Sequence, residues 1–225
     1  RIYVPENIPR NKLEAIQRYR VEVVIEGKLY DEAHAAALAD SKKSGRVYIP
    51  SYDDALIMAG HGTLGWEMLD EITDLDALIV PVGGGGLIAG VATAVKTINP
   101  AIQVIGCQST ASCAMARSLE ENSIYTTYPS KETIAEGLEG GISKITFELG
   151  QRLIDRMVLV EEDEIRFAIR FLLEHHRLVV EGSGAVGVAA LLHNRWADAG
   201  RKLGVVLSGG NLDYQLLKEI VTGSA

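Results

Sequence analysis

The sequence predicts an α/β protein of open, mostly parallel twisted sheets with helices on both faces. Apolar runs of strand length alternate with amphipathic segments of helix length along the whole chain, the signature of a βα series. Several of these runs are rich in Val and Ile, as doubly covered strands are. The run Ala77–Val82 then passes through four consecutive glycines into a helical pattern.

Taken in order, Ile2–Val4 reads as a strand, Pro9–Tyr19 as a helix, Val21–Ile25 as a strand and Tyr30–Lys43 as a helix. Arg46–Ile49 reads as a further strand and Asp53–Ile72 as a helix, with Asp53 placed to cap it through its side-chain oxygen. The strand Ala77–Val82 is followed by a helix over Leu87–Ile98, which Asn99-Pro100 stops because proline restricts its predecessor and donates no hydrogen bond. Strand Ile102–Cys107 and helix Ser112–Glu120 come next. Asn122–Ser143, with two tyrosines, a proline and scattered glycines, reads as a loop with functional potential. Helix Lys144–Asp155, strand Met157–Val160, helices Asp163–His175 and Ala185–Ala199, strand Leu203–Leu207 and helix Asp213–Val221 complete the series. Residues 1–52 are expected to form half of a small domain and residues 53–225 a large one.

Composition narrows the function classes. The 225 residues carry 22 Lys and Arg against 30 Asp and Glu, a formal charge of −8, with no basic run. A face able to displace counterions from nucleic acid is therefore not expected. The longest apolar run falls far short of the roughly 20 residues a membrane span needs, and a cytoplasmic protein is expected. Cys107 and Cys113 are neither paired for a disulfide framework nor spaced for zinc, and read as small apolar residues.

The chemical signal is strongest at Gly83-Gly84-Gly85-Gly86-Leu87. Glycines are entropically costly, so a run of them between strand and helix points to unusual φ angles or to backbone amides approached closely by a ligand. A helix N-terminus adds unpaired donors and partial positive charge, which suits a phosphate. Tight packing or a flexible loop is the competing reading. No Lys-Ser/Thr pair follows, which removes a Walker loop. Gly84, Gly86 and Ala89 satisfy G-x-G-x-x-A, but the next strand ends at Cys107-Gln108 without the acidic partner of a dinucleotide site. Two more turns carry chemistry: Ser208-Gly209-Gly210-Asn211 after a strand, and Glu181-Gly182-Ser183-Gly184 before a helix.

These segments, with Pro5-Glu6 followed by Lys12, Gly60-His61-Gly62-Thr63 and Thr133-Ile134-Ala135-Glu136-Gly137-Leu138, resemble the fold type II pyridoxal-phosphate enzymes of tryptophan synthase beta-like architecture. The resemblance is strongest to the threonine/serine dehydratase group that includes serine racemase. It implies that Gly83, Gly84, Gly85, Gly86 and Leu87 hold the phosphate of pyridoxal 5'-phosphate, that the Ser208 hydroxyl faces the pyridine nitrogen, and that Glu181 lies near the same end of the ring. It implies an amino-acid substrate, L-threonine or L-serine, deaminated by β-elimination to a 2-oxo acid and ammonia. The family's Schiff-base lysine in S-F-K-x-R-G context and its S-x-G-N-H segment have no counterpart in these residues. The chain therefore resembles the family without its N-terminal part, with no catalytic lysine, and is expected to be inactive alone. Gln108 and Ala114 stand where racemase relatives have metal-binding carboxylates, so no ion is expected. His61 reads as a polar packing residue and His175-His176 as solvated on different helix faces. Unpaired strand edges lead to the expectation of a homo-oligomer. A non-catalytic partner subunit and a nicotinamide-dependent oxidoreductase are the alternatives.

Overall fold

The computed structural model describes residues 1–195 and 200–223 as two compact units, Arg1–Pro50 and Ser51–Ala225. In the first, β1 (Ile2–Val4) pairs in parallel with β2 (Val23–Ile25), Ile2 opposite Val23, and the helices α1 (Arg10–Gln17) and α2 (Tyr30–Ser44) follow the two strands. Val4 of β1 and Ala33 of α2 are its buried apolar contacts. Arg1 ties the pair of layers together, bonding Glu22 and Asp40 at 2.9 Å each. The predicted strand Arg46–Ile49 does not form: the segment finds no ladder partner among the described residues, and Val47 is 88% exposed.

The second unit is built on a four-stranded parallel sheet of order β5-β4-β3-β6, formed by β3 (Ala77–Pro81), β4 (Gln103–Ser109), β5 (Arg156–Val160) and β6 (Leu203–Val205). Ala77 and Ile79 of β3 face one apolar core; Leu78, Val80 and Val82 face the other, as the two-residue strand period requires. The first core is closed by α7 (Glu162–Phe171), α8 (Gly182–Leu192) and α9 (Tyr214–Thr222). The second is closed by α3 (Ala55–Glu71), α4 (Gly86–Ile98), α5 (Ala114–Glu121) and α6 (Lys144–Leu153). The sheet is thus covered on both faces, which is why β3 is buried at every residue.

Several boundaries shift for identifiable reasons. Asp54, not Asp53, caps α3: its side chain accepts from the Leu56 and Ile57 amides at 2.7 and 3.2 Å. Helix α8 starts three residues before the predicted Ala185, because Glu181 takes the cap position and its carbonyl accepts from Gly184 and Ala185. The helix ends at Leu192, earlier than predicted: residues 193–195 form a turn, and 196–199 lie outside the described residues. Asp155 leaves α6 to accept from the Val104 amide at 2.6 Å and to pair with Lys96. His175 and His176 do not diverge: α7 runs into a wide π turn over Leu172–His176, and both rings pack on Phe171. Asn122–Ser143 is irregular apart from a 3₁₀ turn at Glu136–Leu138. Among the described residues no helix is long and apolar enough to cross a membrane.

Candidate functional site

The strand order places a topological switch point between β3 and β6. From β3 the chain winds outward through β4 and β5, then crosses back to lay β6 on the other side of β3. Open parallel sheets take ligands in the crevice at the carboxyl ends of strands that diverge in this way. Here those ends carry Gly83–Gly86 after β3 and, after Val206 has extended the ladder by one bond to Ile79, Ser208 after β6.

The glycine turn has the geometry of an anion cradle. Gly85 occupies the N-cap of α4 with φ +94°, and a Cβ there would stand 2.7 Å from the Met115 side chain and 2.8 Å from Thr146, so the position admits glycine alone. The first bond of the helix runs from the Ala89 amide to the Gly85 carbonyl at 3.0 Å. Among the described residues no backbone carbonyl closes on the amides of Gly84, Gly85, Gly86 or Leu87. These donors and the positive end of α4 face the same space.

The opposite wall comes from α8 and the loop before α6. Glu181 donates its amide to the Gly209 carbonyl at 3.1 Å, and its carboxylate lies where a side chain on Gly209 would stand. Ser183, almost fully buried, accepts the Gly137 amide on Oγ at 2.8 Å. One cavity of about 230 Å³ is lined by Gly83, Gly84, Gly85, Gly86, Leu87, Glu181 and Ser208 together, with Gly137, Leu138 and Ser183. Its size suits a phosphate or a small ring rather than the ~300–1,000 Å³ typical of drug-sized ligands.

Tyr52 and His61 also line this cavity; Tyr52 carried no local signal in the sequence, whereas His61 was read there as a polar packing residue. A Cβ on Gly84 would lie 2.5 Å from the Tyr52 ring, so that ring bounds the cradle on its outer side. His61 reaches the cavity because α3 crosses α4 at Gly90, where a Cβ would stand 2.1 Å from the Met58 carbonyl. Gln108 and Ala114 are structural. Gln108 is wholly buried, donating to the Val82 carbonyl at 3.1 Å and accepting from Ala116 at 2.9 Å, and Ala114 is buried at the start of α5. Cys107 is enclosed in β4, where burial pushes its thiol up to about 12, and Cys113 packs its sulfur 3.2 Å from the Tyr128 hydroxyl.

Comparison with known proteins agrees with this architecture. The family described as pyridoxal-phosphate dependent enzyme matches residues 1–209. The chain is 42% identical over 223 residues to an L-threonine ammonia-lyase of Geobacter sulfurreducens, covering 98% of this chain and 55% of that protein. It is 39% identical over 223 residues to the L-threonine dehydratase catabolic TdcB of Escherichia coli (strain K12), covering 98% and 68% respectively. Among solved structures, maize serine racemase superposes with a TM-score of 0.89 at 30% identity, covering 97% of this chain and 68% of that one. The chain thus spans between about half and two thirds of the length of the relatives it matches. In profile, in sequence identity and in fold, it belongs to the pyridoxal-phosphate dependent enzymes of fold type II.

Proposed function

We propose that these residues form the phosphate- and ring-binding side of a threonine/serine dehydratase, an ammonia-lyase that converts L-threonine or L-serine to a 2-oxo acid and ammonia. The observation that carries the reading is the convergence of unpartnered amides at Gly84–Leu87, the Ser208 hydroxyl and the Glu181 carboxylate on one small cavity at the switch point. The donor set fits a phosphate monoester: neutral amides at a helix N-terminus, with a glycine-only turn that lets an oxyanion approach the backbone. Bound pyridoxal phosphate supplies an electron sink for the charge left when an amino acid loses its α-hydrogen.

The residues of this chain then divide the work. Gly83, Gly84, Gly85, Gly86 and Leu87 hold the phosphate and so fix the ring's place. Ser208, a neutral hydroxyl at the end of β6, hydrogen-bonds the pyridine nitrogen without protonating it, which keeps the sink moderate and suits elimination at the β-carbon. Glu181 stands beside it, held by its own amide on Gly209. No lysine among the 225 residues stands in S-F-K-x-R-G context, so these residues bind the cofactor without linking it covalently and do not turn over substrate by themselves. The whole protein is read as a homo-oligomer acting in the cytoplasm.

Titration of the chain with pyridoxal phosphate, followed by absorbance and by competition with inorganic phosphate, tests this. Saturable binding that phosphate displaces, with no adduct retained after borohydride reduction and intact-mass analysis, is the expected result. Absence of saturable binding overturns the cradle assignment, and a reduced adduct overturns the absence of a Schiff base.

A further inference from the structure

Outside the cavity, one carboxylate holds one of its walls. Glu162 opens α7, where a negative charge is favoured by the helix dipole, and it is half-buried. One of its oxygens accepts the Ser109 hydroxyl from the end of β4 at 2.5 Å and the Thr133 hydroxyl at 2.7 Å. The other accepts the Ile134 amide at 2.8 Å. All three partners are donors, so both side-chain oxygens of Glu162 serve as acceptors.

Those bonds propagate directly to the site. Thr133 Oγ1 also accepts the Ala135 amide at 3.0 Å, and the Leu138 amide returns to the Ala135 carbonyl at 2.9 Å, closing the 3₁₀ turn. That turn delivers Gly137 to the cavity with its amide on Ser183 and its carbonyl 2.9 Å from where a Cβ on Gly83 would stand. The loop is therefore wedged between the glycine turn and the start of α8, and at its far end Thr133 and Ile134 are tied to Glu162. We infer that Glu162 is a positioning residue, holding the Thr133–Leu138 loop as the wall that faces the phosphate cradle without itself reaching the cavity. The inference deepens the cofactor-binding reading and rests on it for its effect on affinity.

Glu162→Gln tests it, because the amide keeps the shape but offers one acceptor oxygen and sets a donor against the donors of the loop. Glu164→Gln is the control: on the same helical turn, Glu164 accepts the Glu161 amide at 2.8 Å and pairs with Arg195, but makes no bond to the loop. Each chain is followed by amide hydrogen exchange over 133–138 and by pyridoxal phosphate titration. Glu162→Gln is expected to speed exchange of that segment and to weaken the cofactor about tenfold, the loss of one charge-assisted hydrogen bond. Glu164→Gln is expected to leave both unchanged. Unchanged exchange at 133–138 in Glu162→Gln, faster exchange with unchanged affinity, or an equal response from Glu164→Gln each overturns the inference. If the parent chain binds no pyridoxal phosphate, the cofactor reading falls, and exchange at 133–138 in the two variants still decides whether Glu162 moors the loop.

Discussion

Two helical glycines, Gly60 of α3 and Gly90 of α4, behave oppositely, and the difference lies in what a single methyl group would meet. At Gly90 a Cβ would press to 2.1 Å on the Met58 carbonyl and 2.9 Å on the Gly62 amide, both backbone atoms that cannot rotate away. At Gly60 nothing lies within 4 Å. Gly90→Ala is therefore expected to destabilise by about 1–3 kcal/mol, as overpacking does, and to loosen α3 with its His61. Gly60→Ala, in an exposed stretch of α3, is expected to stabilise by up to about 1 kcal/mol through helix propensity. Urea unfolding of the two variants checks both signs, and equal effects would contradict the close helix crossing. This contrast was not legible in the sequence, where both are glycines in a helical pattern. The glycine run at 83–86 was legible, because a cost that large in one place needs a backbone reason.

At the level of elements, the starts of three strands are tied by Asp76. Its carboxylate accepts the Arg201 and Lys202 amides at 2.7 and 2.9 Å ahead of β6, its carbonyl accepts from Gln103 at the start of β4, and its own amide donates to Lys202. The Lys202 and then the Arg201 amide hold its carboxyl below the ordinary value of 3.8. A depressed folded-state value contributes stability above the unfolded value, and that contribution fades as pH falls through the folded one. Asp76→Asn is thus expected to be less stable than the parent at neutral pH, with the gap narrowing below about pH 4. A gap that stays constant from pH 7 to pH 3 in thermal unfolding would show that the charge is not linked to folding. Strands and helices with strong local patterns were readable from the sequence. Arg46–Ile49 was not, since its apolar residues are those of a strand and only the absence of a neighbour to pair with, a non-local fact, decides against it.

For the molecule as a whole, the order β5-β4-β3-β6 matters most to the site, and no local pattern encodes it. The sequence showed three glycine-bearing turns, but only the crossover that lays β6 beside β3 brings Gly83–Leu87, Glu181 and Ser208 to one place. Tyr52 and His61 also reach the cavity by tertiary contacts, Tyr52 against the glycine turn and His61 through the crossing of α3 and α4. Family resemblance supplied the roles that periodicity could not. A charge of −8 over these residues also frames the proposed cradle, because an anion bound there would have to be drawn by local dipoles against a net repulsion.

The enclosure of Cys107 has a practical corollary. Its sulfur sits at zero exposure in a strand flanked by β3 and β5, and the thiol holds its proton to about pH 12. An alkylating reagent can reach it only when the sheet itself parts, so peptide-resolved labelling at this cysteine should advance at the pace of global opening and slow when denaturant is withdrawn. The native chain would then carry its own stopwatch, and labelling as fast as in urea-unfolded chain would show that the centre of the sheet breathes.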